Sequence, residues 1–179
     1  MRLACTLALI LAFAAGPSAP PDDEVFFSPP APGQPITAEA AIVREIGRAR
    51  YSVLVQAYSF TSLPIAEALV GAHRAGRRIE VVVDPTDDTP RNLVVPILLA
   101  AGIQVRVDRS HAISHNKLVI LDEELFGEIT VLNGSYNFTA AARTRNAENL
   151  RITRRDPLGP AYVANWRRHA AHAGAVVGR

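Results

Sequence analysis

Short apolar runs of strand length alternate with segments whose apolar residues recur at helical spacing, and this alternation constrains the fold more than any other feature of the chain. It predicts an α/β domain: a layered, mixed β-sheet flanked by helices on both faces. Residues 25–28 form a short strand ended by Pro29 and Pro30. Thr37 can cap a helix running to about Ala49, since Ala41, Ile42, Ile46 and Ala49 fall on one side. Residues 51–58 follow as a strand, and residues 63–75 as a second helix with Pro64 in its first turn and Gly76 as its stop. A buried strand over 79–83 is broken by Asp84-Pro85, and a third helix over 93–101 leads to a strand over 103–107. Strands over 115–121 and 129–132 form a hairpin across the polar connection 122–128, and residues 150–153 add one more. A terminal helix to about Ala173 turns Tyr162 and Trp166 toward the core. The helical crossovers make the sheet partly parallel.

With 179 residues the chain holds one domain with a real core and is too short for two of ordinary size. Met1 and Arg2 followed by the apolar run 3–15 have the form of a secretory signal peptide, too short to span a bilayer. Ala12-Phe13-Ala14 supplies an A-x-A cleavage signal, and residues 16–23 are rich in proline and small residues. Residues 1–20 are therefore read as signal peptide and junction, and 21–179 as one domain exported to the periplasm or secreted. An uncleaved membrane anchor is the alternative. The only cysteine, Cys5, lies in that leader, so the mature chain would have neither a disulfide nor a thiolate ligand. A net charge of +2 permits a polyanionic partner without implying one.

The chemistry concentrates between residues 115 and 149. His115-Asn116-Lys117-Leu118-Val119-Ile120-Leu121-Asp122 has the form H-x-K-x-x-x-x-D. Strand side chains alternate, so His115 and Lys117 project the same way, roughly 6 to 7 Å apart, and can straddle one phosphate. Asp122 is an odd number of steps from both, which gives it a structural or orienting role. Lys117 is the only lysine among 19 basic residues. A compact ammonium fits a tight pocket that a guanidinium fork does not. Ser135 and Asn137, in Gly134-Ser135-Tyr136-Asn137-Phe138, can share a face and donate to phosphate oxygens, and Glu148 can hold an imidazole nitrogen. Taken singly, Ser135 and Asn137 read equally as turn chemistry and Glu148 as a solvated charge.

Together, H-x-K-x-x-x-x-D, then G-S-x-N-F, then N-x-E-N at 146–149 resemble the signature of the phospholipase D superfamily. Phe27-Ser28-Pro29, Tyr58-Ser59-Phe60-Thr61 and Trp166-Arg167-Arg168 are similar to its small secreted bacterial nucleases. The departures are a connection over 122–128 that looks longer, and so could alter substrate access, and the Asn between His115 and Lys117. The resemblance implies a metal-independent phosphodiesterase, with His115, Lys117, Asp122 and Glu148 as its catalytic set. Lys117, Ser135 and Asn137 would bind the phosphate. One histidine cannot be nucleophile and acid in one step, so a chain with one motif copy implies a homodimer pairing two His115 residues. DNA or RNA is the leading substrate, with arginines 143, 145, 151, 154 and 155 near the motif. A phospholipase acting on membrane lipid head groups and a catalytically silent nucleic-acid-binding protein are the alternatives.

No cofactor or metal is expected. Asp84, Asp87 and Asp88 read as a strand-ending turn and cap rather than a cation site. His73 reads as a helix-end cap, His169 and His172 lack a third ligand, and His111 reads as a solvated loop residue.

Overall fold

The computed structural model describes residues 22–177, so the predicted leader and Cys5 lie outside the described residues. Eight strands form one mixed sheet: β1 (Asp23–Ser28), β2 (Ser52–Ala57), β3 (Arg78–Val83), β4 (Gln104–Val107), β5 (Lys117–Leu121), β6 (Thr130–Gly134), β7 (Glu148–Thr153) and β8 (Gly174–Ala175). Their order is β1-β7-β6-β5-β2-β3-β4-β8. β2, β3 and β4 are parallel, joined through helices α2 (Leu63–Arg74) and α3 (Val94–Ala100), while the other pairs run antiparallel. The remaining helices are α1 (Ala38–Arg48), α4 (Ala140–Thr144) and α5 (Gly159–His172).

Strand alternation sorts the apolar residues into two cores, as the sequence predicts. Val53, Val55, Val81, Val83, Val119 and Leu121 face Ile42, Ile46, Ile65, Leu69 and Leu98 of α1, α2 and α3. Leu54, Val82, Leu118 and Ile120 face Val163, Trp166 and Ala170 of α5. The central strand β2 is buried along its whole length, hence its unbroken apolar run. Thr37 caps α1, its hydroxyl accepting from the Ala40 amide at 3.1 Å. Trp166 donates its indole N–H to the carbonyl of Val55 at 2.9 Å, so the buried ring leaves no polar atom unpaired.

Three local features differ from the expectation. β5 begins at Lys117, so His115 stands just before the strand. α4 has five residues, too few to show a helical period, and β8 has two, Gly and Ala, which carry no strand signal of their own. Both owe their place to neighbours: Ser28 Oγ donates to the carbonyls of Ala142 and Arg143, and β8 lies along the edge of β4.

The Asp84–Asp88 segment is the turn and cap the sequence predicts. Asp84 Oδ1 accepts from the Thr86 amide, and Asp87 accepts from the Phe60 amide at 2.9 Å and from Asn92 Nδ2 at 2.9 Å. Burial pushes the Asp87 carboxyl from 3.8 up to about 6, against the opposing pull of those two hydrogen bonds. A pKa raised on folding favours the folded state fully below the unfolded value, and that contribution is lost as pH rises through the folded one. The unfolding free energy of the wild type minus that of Asp87→Asn should therefore fall as pH is raised from about 4 to about 7. Urea denaturation at a series of pH values measures it, and a flat difference would show that Asp87 does not titrate there.

Candidate active site

Four chain segments converge at one end of the sheet, where β2 and β6 finish and β5 and β7 start. This is the carboxyl end of the parallel strands, where open α/β sheets place their ligands. Tyr58 follows β2 and joins the two halves of the motif. Its ring centre lies 4.4 Å from the His115 imidazole and 4.8 Å from Lys117 Nζ. His115 and Lys117 thus both lie against Tyr58, although only Lys117 is in the strand.

Lys117 is buried at the floor of the site, and His115 is exposed at its lip. Lys117 Nζ donates to the carbonyl of His115 at 2.7 Å, which brackets the histidine backbone. Burial holds the Lys117 ammonium below its usual range, and the charge of Glu148 acts against that shift. A desolvated ammonium balanced by one carboxylate is poised to exchange its weak local partners for a phosphate.

The backbone around His115 is fixed by a chain of buried polar groups. Asp84 Oδ2 accepts from the Ser114 amide at 2.7 Å, Gln56 Nε2 donates to Ser114 Oγ at 3.1 Å, and Asn116 Nδ2 donates to Gln56 Oε1 at 2.9 Å. Gln56 on the wholly buried β2 is the hub, and the sequence reading passed over it because a lone glutamine in an apolar run has no motif.

On β6, the register Leu118↔Asn133 sets Gly134 beside Lys117 and delivers Ser135 to the same end. The Ser135 and Tyr136 amides both donate to the carbonyl of Asn149 at 3.1 Å, and Ser135 Oγ accepts from the Asn149 amide at 3.1 Å. The third motif thereby clamps the second. Asn137 Oδ1 is buried without a hydrogen-bond partner among the described residues. Phe138 stacks edge-on with Phe60 at 5.6 Å, coupling the G-S-x-N-F segment to the end of β2.

Glu148 accepts from Asn146 Nδ2 at 3.1 Å and makes no hydrogen bond to His115 among the described residues. Within one chain its partner in charge is Lys117. The cleft, about 350 Å³, is lined by His115, Asn116, Lys117, Asn133, Tyr162 and Asn165 together with Leu118 and Gly134. Tyr162 OH accepts from Asn133 Nδ2 at 2.7 Å, so α5 contributes a wall that the motifs do not announce.

Several sequence assignments need correction. Asp122, expected in the catalytic set, follows β5 at the opposite pole, roughly 16 Å from Lys117 along the strand. Its carboxylate accepts from the amides of Arg50 at 2.8 Å, Tyr51 at 2.7 Å and Ser52 at 3.3 Å, which pins β5 to the start of β2. Asp122 is a positioning residue, as its alternation parity indicated, and leaves the catalytic set. The connection 122–128 lies at that same pole, so its length does not shape access to His115. Of the five arginines expected beside the motif, Arg143 pairs with Glu39, Arg151 with Asp23, Arg154 with Glu24 and Glu45, and Arg155 with Asp22. Arg145 alone of the five has no ion pair among the described residues. Arg168, which donates to Asn165 at 2.6 Å, is a further cation bordering the cleft. His169 and His172 do not lack partners either, because the fold brings Asp108 and His111 to them.

A mixed sheet carrying an H-x-K pair, a G-S-x-N-F turn and an N-x-E-N strand start at one pole defines the phospholipase D class. The chain belongs to the phospholipase D superfamily: residues 42–169 match the family model described as cardiolipin synthase, PLD-like domain. Phospholipase D of Rickettsia felis is 35% identical over 125 residues, 70% of this chain and 60% of that protein. Mitochondrial cardiolipin hydrolase of Drosophila melanogaster is 32% identical over 144 residues, covering 72% of this chain and 57% of that one. The chain thus spans about three fifths of the length of these relatives. The crystal structure of Nuc, a phospholipase D family member from Salmonella typhimurium, is 31% identical, with a TM-score of 0.73 over 84% of this chain and 95% of that one. NucT from Helicobacter pylori, at 18% identity and a TM-score of 0.71, shares the fold.

Proposed function

We propose that the protein is a nuclease, hydrolysing DNA or RNA phosphodiester bonds without a catalytic metal. The observation that carries this reading is the exposed His115 above a buried Lys117 in a cleft whose lining includes the amides of Asn116, Asn133 and Asn165. Such a cleft can seat a phosphodiester bearing bulky polar groups on both sides. Leu118 is the one aliphatic side chain among its lining residues. The near-complete coverage of Nuc, against partial coverage of the longer phospholipases, supports the same reading.

In the mechanism, His115 Nε2 or Nδ1 attacks phosphorus and displaces an alkoxide, giving a phosphohistidine. His115 of the partner subunit protonates the leaving oxygen and then takes a proton from the water that releases the product. Lys117, Ser135 and Asn137 hold the charge on the nonbridging oxygens. An apolar hollow of about 280 Å³, lined by Leu158, Ala161, Tyr162 and Asn165, shares two residues with the cleft. A second subunit seated there would lie beside the site, which favours a homodimer.

The same hollow and the names of the relatives favour a second reading, hydrolysis at a phospholipid head group. Purified protein should be assayed on plasmid DNA, RNA and cardiolipin-containing vesicles with excess chelator present. Nucleic acid should be cut and the vesicles left intact. Vesicle hydrolysis with nucleic acid untouched would replace the nuclease by the lipase, and loss of all activity in chelator while circular dichroism stays native would overturn the metal-free mechanism. Export, expected from residues 1–20, is tested by fractionating cells that express the full chain: mature protein starting near residue 21 should be found outside the cytoplasm, and full-length cytoplasmic protein would refute it.

A further inference from the structure

Three imidazoles and one carboxylate meet at the end of β4, away from His115. Asp108 directly follows the strand and is fully buried, and His111 stands three residues on. His169 and His172 occupy the last turn of α5. Asp108 Oδ2 lies 3.0 Å from Nδ1 of His111 and 3.0 Å from Nδ1 of His169, and Oδ1 lies 3.3 Å from Nε2 of His172. The three rings are mutual neighbours, with centres 4.9, 5.1 and 5.4 Å apart. One ligand atom from each of the four residues lies within 4.8 Å of every other.

The Asp108 carboxylate also accepts from the Ser110 amide at 3.1 Å, so it is held in place independently of the three rings. A metal ion takes imidazole in its neutral form, and each of these rings offers a nitrogen to the shared point. Around a tetrahedral zinc ion, Zn–N bonds of about 2.0 to 2.1 Å put neighbouring ligand atoms roughly 3.3 Å apart. The carboxylate–imidazole separations are already of that size. Closing the remaining gaps, up to 4.8 Å between ligand atoms, requires the His111 and His172 side chains to move, and both are partly exposed.

We propose that Asp108, His111, His169 and His172 form a four-coordinate structural site for a divalent transition-metal ion, with zinc the best fit. Imidazole with one carboxylate suits zinc, and four protein ligands leave no open position for substrate. The site lies three strands across the sheet from β5, roughly 14 Å, too far to touch a phosphate held by His115 and Lys117. Its effect is mechanical: it fastens the end of α5 to the start of the 109–116 segment, whose last residues carry the catalytic histidine. The junction is also held by the two-residue pairing of β8 with β4, by the donations of Arg106 to the carbonyl of Ala170 and Arg109 to that of Ala175, by the Val177 amide donating to Asp88, and by the packing of Trp166 and Ala170.

The experiment uses tag-free protein comprising residues 21–179, stripped with chelator and titrated with Zn2+ alone. Competition against a chromogenic chelator should show one ion bound per chain, and Tm should rise by several degrees. Co2+ should give the intense visible absorption of a tetrahedral complex. His111→Ala and His172→Ala, both at partly exposed side chains, should lose the zinc-dependent rise in Tm while keeping the metal-free Tm of the parent. No binding at micromolar Zn2+, or binding and Tm shifts that survive both substitutions, would overturn the site.

Discussion

His115→Ala is expected to lower turnover by about a thousandfold or more while leaving substrate affinity within a few-fold of wild type. The substitution removes the proposed nucleophile and touches neither the Lys117 ammonium nor Ser135 and Asn137. A substrate-binding assay on the inactive variant measures the second half of the statement. Because two His115 residues would serve one reaction, the wild-type rate should be bell-shaped in pH, with constants that belong to the pair. Mixing gives a sharper outcome. If equal amounts of wild-type and His115→Ala chains re-associate at random, only about a quarter of the dimers hold two histidines, and activity per wild-type chain falls by about half. Activity that stays proportional to the wild-type chains would mean that each subunit works alone. Lys117→Arg keeps the charge yet should also be severely impaired, since its fork does not fit the space beside Tyr58.

The sequence was most legible where chemistry and periodicity coincide. The i, i+2 spacing brings His115 and Lys117 to the same ring of Tyr58 even though the strand begins only at Lys117, and the breakers around 84, 102 and 156 are local events that need no tertiary knowledge. Gln56, Asn133, Tyr162 and Asn165 were illegible for the opposite reason: each acquires its role from a strand or helix that lies far away in the chain. The arginines show the same limit. Their nearness to the motif in sequence says nothing about which carboxylates lie across the sheet, and Arg154 finds Glu24 and Glu45 only once β1 and β7 pair. The histidine cluster is the clearest case, since Asp108 and His111 meet His169 and His172 only once α5 packs across the sheet. Local spacing could offer only a pair at i and i+3.

Gly134→Ala is expected to cost about 3 kcal/mol or more, a fall in Tm of roughly 6 to 12 °C, and to disable whatever protein still folds. Gly134 has φ +154°, a conformation that other residues seldom adopt, and a Cβ there would stand 2.3 Å from the carbonyl oxygen of Asn149. That oxygen belongs to the backbone and accepts from both the Ser135 and Tyr136 amides, so it cannot swing aside without releasing them. The damage should therefore reach the chemistry, because Ser135 is the next residue and Asn149 clamps its hydroxyl. Gly71→Ala is the control: it lies inside α2, an added Cβ meets nothing within 4 Å, and stability should rise by roughly 0.5 to 1 kcal/mol. Urea unfolding of both variants, with activity measured well below the midpoint, separates the two effects. If Gly134→Ala unfolds within about 0.5 kcal/mol of wild type, the close approach of β6 to β7 is not what holds Ser135 in place.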